Sequence, residues 1–277
     1  MDSDVRIVTV DDVDKAAEYG FFCYKSKPKA EGYGRKLAWL EQRFAEGLRI
    51  KIVYEGGRSV GFIEYTPGEF AWRPVSAEGY LVVHCLWVVG RAKERGYGSL
   101  LLDACVEDAR ATGKHGVAAV TKKGGHLAGK KIFLKHGFEV IDQGPLGFSL
   151  VARTFGDAPL PAFSQDWADR DPASADLDPD ASADRQARYG EGLTVVYADQ
   201  CPYFHDAVQR ALEAAREVGI QARQAVELQS AQEVRDLAPC PYGTFGIVYN
   251  GALVACTPLT TKKLTERLEE LHSGRAP

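Results

Sequence analysis

Residues 84–99 read His84-Cys85-Leu86-Trp87-Val88-Val89-Gly90-Arg91-Ala92-Lys93-Glu94-Arg95-Gly96-Tyr97-Gly98-Ser99. An apolar run enters a turn bearing glycines, and a helical pattern follows over 98–112, with Leu101, Leu102, Cys105 and Ala109 on one face. Gly96 and Gly98 carry no side chain, so backbone N–H groups of this turn are open to an anion. The helix N-terminus adds partial positive charge. Arg91, Lys93 and Arg95 add full charges. The stretch reads as a cradle for a pyrophosphate. Two glycines at this spacing also serve plain strand-to-helix turns, so spacing alone leaves both readings open.

Outward from this stretch, the first half of the chain predicts a mixed α/β unit. Residues 5–10 alternate like a strand, and Asp11 or Asp12 caps a short helix ending near Gly20. Residues 35–46 place Leu37, Ala38, Leu40 and Phe44 on one helical face. Residues 49–55 and 60–66 flank Gly56-Gly57-Arg58, a hairpin signal. Residues 79–89 predict a central strand and 117–121 a short buried one. A helix near 127–135 ends at Gly137, and strands at 138–142 and 148–155 close the sheet.

The wider pattern resembles the GNAT superfamily of acyl-CoA N-acyltransferases. That family's loop reads Arg/Gln-x-x-Gly-x-Gly/Ala after an apolar strand; here the residues are Lys93-Glu94-Arg95-Gly96-Tyr97-Gly98, with Lys at the first position. A second match is the run His126 to Phe138, which ends in Gly137-Phe138. His126 stands where the family usually has Asn, and Phe133 where it usually has the Tyr that protonates the leaving thiolate. The resemblance covers roughly residues 5–155. It implies a mixed sheet with helices on both faces and acetyl-CoA as co-substrate. It implies that the backbone of Leu86, Trp87 and Val88 holds the acyl and pantetheine arm. The segment Lys93, Glu94, Arg95, Gly96, Tyr97, Gly98 and Ser99 would hold the pyrophosphate. An amine of a small molecule or peptide would be the acceptor, placed near residues 21–36 and the 65–74 loop, where Glu69, Phe70, Trp72 and Arg73 shape a pocket.

His84 occupies the position of the family's usual Glu base. A histidine titrating near neutrality suits that task; a buried, hydrogen-bonded structural histidine is the other reading. Strand alternation puts His84, Leu86 and Val88 on one face. Cys85 then falls on the opposite face, as a small core residue or as a second catalytic candidate.

Residues 156–190 change composition, with repeated Pro, Ala and Ser and seven aspartates between Asp166 and Asp184. Such a segment buries too little to offset its ordering entropy and reads as a linker, docked at 160–163 and Trp167. Residues 191–277 read β-α-β-α-β-β-α, with Asn250-Gly251 as a hairpin turn. This order, with Cys201-Pro202 opening a helix, resembles the thioredoxin superfamily. The C-x-x-C of that family becomes Cys201-Pro202-Tyr203-Phe204, without a resolving cysteine. A helix N-terminus lowers a thiol's pKa. The family's cis-proline loop falls at 239–243, so the resemblance brings Cys240 toward Cys201, as a disulfide, a soft-metal pair or a thiophilic site. The two domains together resemble the YoaP-like group of GNAT proteins. The competing function is a thiol- or metal-responsive protein using Cys201 and Cys240.

The six cysteines form no zinc spacing, so no metal site is expected. With a net charge of −4 and no dense basic run, nucleic acid is not an expected partner. The longest apolar run, 80–89, is interrupted by His84 and too short to span a membrane. Residues 1–10 show no basic region followed by an apolar core, so no signal peptide is expected and the expected location is the cytoplasm. The acceptor, the acyl length and the oligomeric state, a homodimer included, stay open.

Overall fold

A computed structural model describes residues 4–124, 126–164 and 187–274. The N-terminal lobe runs β1 (Val5–Val10), α1 (Val13–Tyr19), α2 (Glu31–Ala45), β2 (Arg49–Glu55), β3 (Arg58–Pro67), β4 (Val75–Ser76), β5 (Tyr80–Val88), α3 (Tyr97–Ala111), β6 (Gly116–Lys122), α4 (Lys130–Lys135), β7 (Glu139–Gln143), β8 (Phe148–Thr154) and β9 (Ala162–Phe163). Its seven-stranded sheet has the order β1-β2-β3-β5-β6-β8-β7. All neighbours are antiparallel except β5 and β6, which are parallel and joined through α3.

The sheet is covered on both faces, as alternating strands of two-sided burial require. One face packs under α3 and α4, through Val53, Ile63, Leu81, Leu86, Leu101 and Phe133. The other packs against α1 and α2, through Ile50, Phe62, Val82, Trp39 and Leu40. Asp12 caps α1, accepting from Lys15 N–H at 2.7 Å. The α2 stripe Gly32, Lys36, Trp39, Leu40 and Arg43 is buried, so this helix turns two cations inward.

The C-terminal lobe runs β10 (Leu193–Tyr197), α5 (Phe204–Val218), β11 (Arg223–Glu227), α6 (Ala231–Leu237), β12 (Phe245–Tyr249), β13 (Ala252–Ala255) and α7 (Thr261–His272). Its sheet order is β11-β10-β12-β13. β10 and β11 are parallel; β12 is antiparallel to both β10 and β13. Asn250 (φ 46°) and Gly251 (φ 79°) form the hairpin turn in left-handed geometry, as the Asn-Gly pair requires.

The lobes are packed tightly against each other. One buried apolar cluster runs from Val10 and Trp39 of the first to Val195, Phe204 and Leu268 of the second. Gly32 of α2 meets the backbone of the second lobe so closely that a Cβ there would lie 2.1 Å from Pro202 O. Arg35 donates to Asp199 at 2.9 Å and to Glu227 at 2.5 Å. Tyr24 donates to Asp206. Between the lobes, β9 pairs with β4, so the chain at Ala162–Phe163 is docked on the first lobe. Leu160, by contrast, is 62% exposed. Residues 165–186, with Trp167 and the seven aspartates from Asp166 to Asp184, lie outside the described residues. Among the described residues no helix is long and apolar enough to cross a membrane.

Candidate active site

The sheet opens at its centre. β5 pairs with β6 only from Tyr80↔Gly116 to Val83↔Ala119, while β3 follows β5 as far as Val88 and β8 follows β6 as far as Lys122. Beyond Val83 the two parallel strands part. Residues 84–88 of β5 therefore have no strand partner on that side among the described residues. Unpaired backbone of this kind is a template for an extended, amide-bearing ligand.

The parting coincides with a β-bulge. Glu64 faces Cys85 and Tyr65 faces Val83, which leaves His84 as the extra residue. The bulge reverses the alternation. Leu81 and Val83 face α3 before it; Leu86 and Val88 face α3 after it. This corrects the expected pattern: Leu86 and Val88 share a face with each other but not with His84. Cys85 is not a core residue beneath the sheet. His84, Cys85 and Trp87 all line a cavity of about 410 Å³ on the opposite face.

That cavity lies between the lobes. The first lobe contributes Phe22, Lys36, Glu64 and Arg73, and the second Gln200, Cys201 and Tyr242. Its floor is a buried polar network. Lys36 Nζ donates to Glu64 Oε2 at 2.7 Å, and Gln200 Nε2 donates to Glu64 Oε1 at 2.8 Å. Trp72 N–H donates to His84 Nε2 at 2.9 Å, and His84 Nδ1 lies 3.3 Å from Glu64 Oε1. The first bond makes Nε2 an acceptor, so Nδ1 carries the proton toward Glu64. Burial pushes His84 down to about 4, against the pull of Glu64. Burial alone would raise Glu64, but Lys36 and His84 outweigh it and hold the carboxyl at about 2. Of the loop expected to frame the acceptor, Arg73 lines the cavity. Glu69 instead binds Gly79 N–H at 3.0 Å, and Phe70 is exposed.

The thiols are arranged differently from expectation. Cys201 lines the cavity with Cys85 and Cys23, whereas Cys240 is buried with its sulfur 3.9 Å from Phe245 O. All six cysteines are free. The 239–243 loop contains no cis peptide bond, and it is Tyr242 that reaches the cavity. Burial pushes Cys201 up to about 11, and the bond from Tyr203 N–H offsets only part of this. Cys85 is pushed up to about 12 by the same cause. Desolvation thus outweighs the helix N-terminus at Cys201. Among the described residues no group of three His, Cys, Asp or Glu is placed to hold a metal ion.

Beside the open edge, the turn 89–96 leads into α3. Gly96 (φ 84°) precedes the helix in left-handed geometry, with open space where a Cβ would stand. No side chain caps the first turn of α3, so its leading N–H groups are unclaimed by side chains. Gly98 has a different reason to be glycine: a Cβ there would lie 2.8 Å from Ile132 Cδ1 of α4. Glu94 has φ 66°, and Lys93 Nζ lies 5.3 Å above the ring of Trp87. Arg95 is paired with Glu55, at 2.6 Å for Nη1. Ser99 Oγ is 2.9 Å from His136 Nε2. Trp87, 47% exposed, stands between cradle and cavity. His126 lies at the same mouth, exposed and without a hydrogen bond or ion pair among the described residues. Partial burial lowers its pKa. Phe133, in the position of the family's tyrosine, is core, packed edge-on to Phe138 at 5.3 Å.

Residues 15–138 match the Acetyltransferase (GNAT) family. The chain is 30% identical over 249 residues to the uncharacterized N-acetyltransferase YoaP of Bacillus subtilis, covering 89% of this chain and 91% of that one. It is also 30% identical over 149 residues to the L-methionine sulfoximine/L-methionine sulfone acetyltransferase of Pseudomonas aeruginosa, covering 53% and 76%. A solved GNAT acetyltransferase from Streptococcus pneumoniae aligns at a TM-score of 0.42 and 14% identity, over 55% of this chain and 100% of that one. The chain belongs to the GNAT acetyltransferase family: it is an acyl-CoA-dependent N-acyltransferase.

Proposed function

We propose that the chain moves an acetyl group from acetyl-CoA to the amine of a small molecule held between its two lobes. The observation that carries this is the coincidence at one strand end of a parted sheet, an uncapped helix N-terminus and a largely apolar cavity. The donor residues fit acetyl-CoA. On the open side of β5 the backbone of Leu86 and Val88 is available to an amide-bearing arm, with Trp87 between them bonded to β3, and the leading N–H groups of α3, with Gly96, can donate to a diphosphate. Lys93 and Arg95 border that diphosphate, Arg95 by exchanging Glu55 for it. Acetyl-CoA supplies the activated thioester.

The chain's own residues must orient the acceptor, exclude water and take a proton from the amine. The aromatic walls Phe22, Trp87 and Tyr242 do the second. His84 is a positioning residue in this reading, because both its nitrogens are engaged and it fixes the Trp72 loop and Glu64. The proton falls to His126, whose imidazole has no hydrogen-bond or ion-pair partner among the described residues and whose pKa is lowered by partial burial. The thiols Cys85 and Cys201 are protonated wall residues, and Cys240 is a core residue.

The second lobe is read as a thioredoxin-like unit. What supports this is its 2-1-3-4 strand order and a cysteine just ahead of its first helix. Its task is to complete the acceptor cavity, through Gln200, Tyr203 and Tyr242.

The test is CoA release from acetyl-CoA, followed across a panel of small amines with wild type and His126→Ala. His126→Ala is expected to lower kcat by about 100-fold, the usual share of a general base, and to remove the acid limb of the kcat–pH profile. That limb lies below the ordinary histidine range, because burial lowers His126. An unchanged limb would return the proton-accepting role to another group.

A further inference from the structure

Among the described residues, Arg73 is the one buried cation that lacks a carboxylate. Among the described residues three cationic side chains are buried: Lys36, Arg43 and Arg73. Lys36 sits 2.7 Å from Glu64, and Arg43 sits 3.0 Å from Glu46. Arg73, 1% exposed, has no acidic side chain within ion-pairing distance among the described residues. Its bonds go to neutral oxygens. Nη1 donates to Trp72 O at 3.0 Å and to Thr244 Oγ1 at 3.1 Å, and Nη2 donates to His84 O at 2.7 Å. Nε is buried without a hydrogen-bond partner among the described residues. The ring of Tyr242 lies 5.1 Å from the guanidinium.

Arg73 is also a wall of the interlobe cavity. Within that cavity Lys36 and Glu64 cancel and His84 is neutral, so Arg73 leaves one net positive charge. A buried guanidinium with an idle donor is costly to leave unmatched. It is matched best by a planar anion, which guanidinium binds in a fork.

We infer that the acetyl acceptor is an amine that also carries an anionic group, a carboxylate in the simplest case, and that Arg73 receives this anion in the cavity. This rests on the acetyltransferase reading and names its acceptor class: a free amino acid or a similarly zwitterionic amine. The apolar walls Phe22, Phe62 and Tyr242 then face the remainder of the molecule, which favours an uncharged side chain.

The experiment uses the full chain, acetyl-CoA, and matched pairs: L-leucine, L-methionine and L-phenylalanine, each with its C-terminal amide. Calorimetry measures acetyl-CoA binding, and CoA release measures transfer. The amides are less basic and present more free amine at a given pH, so the comparison is biased against the expected result. The free acids are expected to exceed their amides in kcat/KM by about 10- to 100-fold, the span of one charge-assisted pair, through lower KM. In Arg73→Lys, and further in Arg73→Met, the acid-to-amide ratio is expected to fall toward one. A merely structural Arg73 would lower both turnovers together and leave the ratio in place. If acetyl-CoA binds and the amides match or exceed the acids, or no acid is acetylated, the anionic acceptor is overturned while the donor site stands. If acetyl-CoA does not bind, the acetyltransferase reading fails, and the acceptor assignment fails with it.

Discussion

Glu64 and Lys36 illustrate how single residues hold this site. Both side chains are buried, and they pair at 2.7 Å. Replacing such a pair by apolar residues is often tolerated, whereas removing one partner is not. Lys36→Met is therefore expected to destabilise the fold by about 3–5 kcal/mol in denaturant unfolding, and a second change, Glu64→Leu, to recover much of it. The pH dependence has a defined sign. Glu64 titrates lower in the folded chain (about 2) than its ordinary 4.5, so its contribution is present above 4.5 and is lost as pH falls toward 2. His84 is kept neutral down to about 4 instead of 6.5, so unfolding takes up a proton between those values and stability again falls with falling pH. In the same unfolding experiments, His84→Gln should flatten the slope between pH 6.5 and 4, and an unaltered slope would contradict this assignment.

At the scale of elements, α3 is where sequence and geometry agree most closely. Its apolar spacing, the glycine before it and its position after an apolar strand were all legible in residues 84–112. The register of β5 was not, because a bulge at His84 leaves no mark in composition: no glycine or proline sits there. It reversed the faces of every residue from Cys85 onward, and so hid the fact that Cys85 and Trp87 share a cavity with His84. Glu64 was missed for a different reason. It lies in an apolar hairpin strand, and its inward alternation with Phe62 was the available signal. Lys36, inward on α2 one turn after Gly32, offered a similar one. Gln200 and Tyr242 lie more than 100 residues away in sequence from the strand they approach, and no local pattern carries that information. The α3 terminus also supplies a clean variant. Ser99 is the third residue of the helix, where an acidic side chain suits the macrodipole. Ser99→Asp should keep or raise the melting temperature while repelling a diphosphate, so stability and donor affinity should move apart.

For the whole molecule, the second lobe supplies part of the cavity wall, through Gln200, Cys201 and Tyr242. Gly32 is the sharpest probe of this, because a Cβ there would collide with backbone of the Cys201-Pro202 turn, which cannot step aside as a side chain can. Gly32→Ala is expected to loosen the lobes, raising the acceptor KM by about 10-fold or more while acetyl-CoA affinity holds, since the donor cradle lies wholly in the first lobe. A parallel loss of acetyl-CoA affinity would mean that the lobes are not separable in this way. The most direct measurement is calorimetric titration of acetyl-CoA into the wild-type chain and into Ser99→Asp. Saturable one-to-one binding by the wild type, lost or greatly weakened in a folded Ser99→Asp, is the expected result. Absence of binding by the folded wild type, or equal binding by both, would contradict the placement of the donor on β5 and α3.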